Sequence, residues 1–242
     1  MFFFNIGIVG LLAALAAKSI FGIENIFEVS GGNLSAPGSR DAFLFMQALS
    51  SLGGFALTAM MFSVLEAGEY KKHLRLATLP TFKLAAVAVV AVLAAQFFIE
   101  WLVKINQLIP APAGLQAMQK HTAELTEALM NFKDIGHFVI VAIVVAVIPA
   151  IGEEFLFRGL LLGDMLKAKV RPQVAIPVTG FLFALVHGEF HNTLAIWVLG
   201  SFLGYLYYAS GSLWLPILAH FTNNFLAVLL KYLFNTGVIS KE

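Results

Sequence analysis

The chain contains no cysteine, which excludes disulfide bonds, thiolate zinc sites and a cysteine nucleophile, and leaves the redox compartment unread. Charge is scarce as well. Only 12% of the residues are Asp, Glu, Lys or Arg, against about 25% in ordinary soluble domains. The two signs nearly cancel, with 15 basic and 14 acidic side chains and a net charge of +1. That balance provides no broad basic field for a nucleic-acid backbone, so this partner class is excluded. The opening stretch, Met1 to Ile23, lacks a basic leader and a small-residue cleavage site. It is therefore expected to be a retained first span rather than a signal peptide.

What fills the chain instead is apolar: 60% of 242 residues are hydrophobic and the mean hydropathy is +0.87. A soluble core cannot absorb that excess, whereas a bilayer can. Apolar runs separated by charged or turn residues predict helices over 2–22, 42–67, 81–104, 136–166, 171–188, 192–209 and 212–234. The expected fold class is all-α, a polytopic transmembrane helix bundle of about seven spans plus an interfacial helix, with 1–242 forming a single multi-spanning domain. Turn formers crowd the connector from Glu24 to Asp41, which reads as an irregular loop. The segment 113–133 sets Leu115, Met118, Leu125, Leu129 and Phe132 at near-helical spacing among Gln119, Lys120, Glu124 and Glu127. This suits a helix lying in the membrane interface, where packing on its own protein and guiding a substrate fit equally well. Two basic connectors, Lys71, Lys72, His73 and Arg75, then Lys167, Lys169 and Arg171, are expected on the cytoplasmic side. The amino terminus is then inside and the carboxyl terminus outside, which Lys231 and Lys241 mildly oppose.

Three ionisable residues interrupt the apolar run from Ile148 to Gly159: Glu153, Glu154 and Arg158. A charge at mid-membrane costs at least about 2.5 kcal/mol, so such groups pair and face protein. Glu154 and Arg158 are four apart and share a helix face. Glu153 points about 100° away, which leaves it for a general-base task. A lock between helices is the alternative on this segment alone. His187 follows Phe183 by four near the end of another span, and His220 precedes Asn224 by four on the last. Each has a structural reading too, as a satisfied helix-end histidine and as an interhelical hydrogen bond. Together, His220 and Asn224 provide two donors of the kind that can hold a developing oxyanion. At about 1.5 Å per residue, Glu153 lies roughly 20 Å from the Lys167 end, His187 about 24 Å from Arg171 and His220 about 14 Å from Gly211. All three thus fall at similar buried depths. Pro149 and Pro216 each lack the N–H of one helical bond, freeing the carbonyls of Val145 and Ser212 and permitting kinks. The run His187-Gly188-Glu189-Phe190-His191 is not H-E-x-x-H, because its glutamate is third, and Gly188 and Asn192 fit a helix end and an N-cap.

The set E-E-x-x-x-R, F-x-x-x-H and H-x-x-x-N, in order on three apolar segments, resembles the CPBP family of intramembrane proteases. That family includes the type II CAAX prenyl endopeptidases and bacterial relatives linked to bacteriocin processing and self-immunity. The motifs lie within residues 140–230, and the catalytic core is expected over 136–234. The resemblance implies that Glu153 and His187 activate the attacking water. It also implies that His220 and Asn224 stabilise the tetrahedral oxyanion, while Glu154 and Arg158 orient the site. No motif position is substituted, which fits an active member.

The family has been argued both as metal-dependent and as metal-free. A zinc site here would use Glu153, His187 and His220 with an open fourth position. The metal-free reading is preferred, because His220 and Asn224 make a coherent oxyanion pair and asparagine is a poor zinc ligand. No cofactor is expected, zinc being the alternative. The expected activity is hydrolysis of a peptide bond in a membrane-associated protein or peptide by glutamate/histidine-activated water, in a bacterial cytoplasmic membrane. The implied partners are that substrate and the lipid bilayer, and the residues carry no signal for oligomeric state. A non-proteolytic immunity or assembly factor of the same fold is the alternative. Ion-coupled transport fits less well, since no repeat or paired broken helices appear.

Overall fold

A chain crossing lipid must satisfy its backbone internally, and a helix does so within one segment. The computed structural model describes residues 2–132 and 134–240, and the described residues contain helices and no strand. Met1 and Lys241 lie outside the described residues. The main helices are α1 (Phe2–Phe21), α2 (Ser39–Ala67), α3 (Phe82–Gln107), α4 (Ala113–Leu129), α5 (Ile135–Lys167), α6 (Pro172–His187), α7 (Thr193–Ser210) and α8 (Trp214–Asn235). Five helices, α2, α3, α5, α8 and α7 with its preceding turn, are long and apolar enough to cross a membrane. Gly7–Phe21 and α6 are shorter apolar helices. With α1 taken as Phe2–Phe21, these seven match the seven expected runs, the largest offsets being 42 against Ser39 and 104 against Gln107. At about 1.5 Å per residue, α6 reaches roughly 24 Å, short of a hydrocarbon layer of about 30 Å. On α3 the outward side chains are large and apolar, with Phe97 83% exposed, a liability in water and the expected surface in lipid.

The chain divides into two compact units. One contains the residues up to Thr58, Ala123–Glu153 and those from Asn224 onward. Ile23, Ile26 and Val29 bury with Ala14, Ala17 and Ala42 in its core. The connector between α1 and α2 is consequently not wholly irregular: that burial winds Ile26–Ser30 into a helical turn. Arg40 Nη2 donates to the carbonyl oxygens of Ala128, Leu129 and Asn131 at 2.6, 2.6 and 2.9 Å. It thereby caps the end of α4, where free carbonyls and the helix dipole favour a cation. Asp134 caps the start of α5, accepting from the His137 N–H at 2.8 Å.

The other unit contains Ala59–Thr122 and Glu154–Asn223. Its tightest packing joins α6 to α7 through small residues, as lipid-embedded helices require when no hydrophobic driving force separates them from the tails. A Cβ on Gly180 would lie 2.5 Å from Ser201 Oγ and 2.8 Å from its backbone nitrogen, and one on Gly200 would lie 3.1 Å from Gly180 Cα. Asn106 of α3 ties the turn before α7, its Nδ2 donating to Phe190 O at 3.0 Å and its Oδ1 accepting from Leu194 N at 2.8 Å. This corrects the expected N-cap: Asn192 occupies the position, but its side chain donates to Glu189 and caps nothing. Gly188 ends α6 as expected, with φ 66°.

Two proline readings part company. Pro216 falls in the first turn of α8, where the missing N–H has no helical partner to lose, so it starts the helix rather than kinking it. Pro149 does follow a disturbed stretch of α5, which widens to i→i+5 bonding over Ile143–Val147, and α5 widens again over Phe155–Leu162. A depth estimate at uniform α-helical rise therefore does not hold along α5.

Gly180→Leu is expected to destabilise the protein by about 1–3 kcal/mol or more, since the added atoms meet backbone. Thermal unfolding in detergent micelles measures this, and an unchanged midpoint would rule out the close α6–α7 contact.

Candidate active site

The charges of α5 fall around the start of its second widened stretch, with Glu153 and Glu154 just before it and Arg158 within it. Glu154 and Arg158 keep a common face, and Arg158 Nη1 donates to Glu154 Oε1 at 2.6 Å with both side chains fully buried. Arg158 Nη2 donates to Gly200 O of α7 at 2.8 Å. Its guanidinium also lies 4.4 Å from the centre of the Phe183 ring, a cation–π contact strengthened by the absence of water. The same carboxylate oxygen, Glu154 Oε1, sits 2.8 Å from His220 Nδ1. An ionised carboxylate only accepts, so His220 carries its proton on Nδ1 and turns Nε2 away from Glu154. One oxygen thus fixes both an arginine on its own helix and a histidine on α8.

His187 closes α6. Its Nδ1 lies 2.7 Å from Phe183 O, and a carbonyl likewise only accepts, so Nδ1–H donates and the neutral ring keeps its lone pair on Nε2. The Phe183 ring is the common platform. Its centre lies 4.4 Å from that of His187, 5.7 Å from His220 and 5.2 Å from Phe157. Phe183 is 1% exposed.

Of the six residues expected from sequence, Glu154, Arg158, His187 and His220 gather in the second unit around Phe183. Glu153 and Asn224 belong to the first unit. Glu153 directly precedes Glu154 on α5 and is partly buried. Asn224 lies one helical turn beyond His220 on α8, and its Nδ2 donates to Val145 O at 3.3 Å. That is the carbonyl from which Pro149 withholds a helical partner. Phe183 was legible as a motif position but not as the shared ring. The signal was its place four residues before His187, on the same helix face. The Gly200 carbonyl carried no signal at all. Three ligand-type side chains with atoms within 4.8 Å of one another occur among the described residues at Glu66, His73 and Asp164, none of them in this cluster.

An all-α bundle of apolar helices with ionic groups sealed inside is the class that fold and cluster define: a multi-spanning membrane protein. Residues 135–226 match the family model described as Type II CAAX prenyl endopeptidase Rce1-like. All six expected residues fall within that stretch. That stretch is similar to the CPBP, or CAAX-protease, family, and the similarity supports a CAAX-type intramembrane protease in general terms. The chain is an integral membrane protein. Comparison with curated proteins gives no match, and comparison with solved structures gives none either.

Removing one partner of a buried ion pair strands the other. Arg158→Met leaves the Glu154 carboxylate without its arginine and is expected to cost about 3–5 kcal/mol, read as a fall in the unfolding midpoint in micelles. Wild-type stability in this variant would contradict the pairing.

Proposed function

We propose that the protein is an intramembrane endopeptidase of a bacterial cytoplasmic membrane that cleaves a membrane-associated protein or peptide without forming an acyl-enzyme. The observation that supports this reading best is the Glu154 carboxylate oxygen shared by Arg158 and His220, within a stretch whose three motifs are all intact. Buried charge is costly in lipid, and one carboxylate that presets an imidazole is an arrangement suited to chemistry as well as to packing.

In this reading Glu153 acts as general base with His187, whose Nε2 lone pair can take a proton. The water gives up a proton and its oxygen bonds to the peptide carbonyl carbon, whose π electrons move onto oxygen. His220 has committed Nδ1–H to Glu154, so its Nε2 is the nitrogen that, when it carries a proton, donates to that oxyanion. Asn224 donates its second amide hydrogen. Collapse of the intermediate restores the carbonyl and expels the amine, which takes up the proton held by the base. Glu154 and Arg158 act as positioning residues. Prenylation of the substrate is not required by any of these steps.

One observation favours a variant of this mechanism. His187 and His220 both donate Nδ1–H to protein acceptors, the state in which neutral imidazoles offer Nε2 to a metal. The donor types of Glu153, His187 and His220 fit zinc, which would supply a water of lowered pKa and a Lewis acid for the carbonyl.

Glu153→Gln is expected to lower the cleavage rate in proteoliposomes about 10²–10⁴-fold, at unchanged unfolding temperature, and to trap substrate in cross-linking with peptide mass spectrometry. A variant that cleaves at the normal rate removes the mechanism. A phenotype that follows only protein abundance makes the chain an immunity or assembly factor instead. Exhaustive chelation separates the two variants: activity that survives it supports the metal-free one, and activity lost and restored by zinc supports the other.

A further inference from the structure

A second polar cluster stands apart from the residues used above. It lies where the end of α2, the short helical turn Tyr70–His73 and the end of α5 come together in the second unit. His73 Nε2 is 2.9 Å from Asp164 Oδ1 and 4.0 Å from Glu66 Oε2. Lys167 Nζ lies 2.7 Å from the same His73 nitrogen and 3.0 Å from Asp164 Oδ1. The His73 side chain is 1% exposed, whereas Glu66 and Asp164 are 57% and 32% exposed. An imidazole sealed in protein therefore aims one nitrogen at two carboxylates that reach solvent.

No protonation state of His73 satisfies both short contacts. Asp164 Oδ1 only accepts, so it needs a proton on Nε2, and the Lys167 ammonium only donates, so it needs a lone pair there. With the proton on Nδ1, a lone pair faces a carboxylate oxygen. With it on Nε2, an N–H faces an ammonium. With both, two cations touch. The buried Nδ1 has no hydrogen-bond partner among the described residues, so nothing on that side of the ring selects a tautomer.

A metal cation in the place of the ammonium removes the conflict, since nitrogen lone pair and carboxylate oxygens would then point at one positive centre. Ligand atoms about 2.0–2.2 Å from zinc at tetrahedral angles lie about 3.3–3.5 Å apart. The observed 2.9 and 4.0 Å straddle that value, and the exposed Glu66 can close the longer gap by rotating. One imidazole and two carboxylates carry two negative charges, matching a divalent ion of the zinc or cobalt type.

We infer that Glu66, His73 and Asp164 form a binding site for a divalent transition-metal ion that competes with Lys167. The bound ion clamps the Tyr70–His73 turn to the ends of α2 and α5, with water completing its coordination. This site is independent of the protease reading and of any metal at His187 and His220.

The test is cobalt(II) titration of the full chain, tag removed, in detergent micelles, followed by visible absorption and by unfolding temperature. Wild type is expected to bind one ion here and to unfold at a higher temperature with it. His73→Gln and Asp164→Asn, checked for unchanged metal-free unfolding, are expected to lose more affinity than the about 10–100-fold that losing an outer-shell partner costs. Lys167→Met is expected to gain about tenfold or more, because a like charge has left contact distance. A purely structural Lys167–Asp164 bridge predicts no such gain. Absence of binding, or binding that survives both substitutions and is lost in His187→Ala, overturns the proposal.

Discussion

Everything in the second unit's polar interior depends on one carboxylate oxygen. Glu154 Oε1 holds a guanidinium at 2.6 Å and an imidazole at 2.8 Å, so that residue fixes the placement of two others. In lipid the cost of exposing any of them is several kcal/mol, which gives the triad a single arrangement rather than a family of them. The apolar surroundings serve the same end. Phe183 supplies a π face to Arg158 and an edge of contact to both histidines, filling the space where water would screen the charges. Packing and electrostatics are thus one constraint, and the small residues of α6 and α7 allow it by bringing the Gly200 carbonyl within reach of Arg158.

Helices were read from sequence well because lipid makes the rule simple. A run of apolar residues bounded by charge must be helical, and its length is set by where charge resumes. That is why every apolar helix begins and ends close to its expected place. What the rule could not supply was the interior of α5. Widening at Ile143–Val147 and Phe155–Leu162 depends on where freed carbonyls find partners, and Val145 finds Asn224 from a segment 79 residues away. The helical turn at Ile26–Ser30 escaped for a related reason: turn-forming neighbours dominate the local pattern, while the apolar contacts that wind it come from α1 and α2.

The polar cluster was legible in its membership and less so in its wiring. Charges inside apolar runs mark themselves, and spacing of four predicted the Glu154–Arg158 pair. The partner of His220 was not legible, because nothing in the last span says which of two adjacent glutamates its imidazole meets. The hydrogen bond to Glu154 assigns His220 a tautomer that no motif encodes. The Glu66, His73 and Asp164 group was invisible for the opposite reason. His73 read as part of a basic connector, and only folding brings residue 73 against residue 164.

Asn106 adds a point about boundaries. It bonds Phe190 O and Leu194 N, closing the turn that follows His187, yet it sits on α3, before the stretch 135–226 that the family pattern covers. The stretch that matches the family model consequently depends on a residue outside it. Its hairpin of α6 and α7 takes partners for two backbone groups from one side chain of α3, so that helix is constrained at Asn106 by the turn it closes.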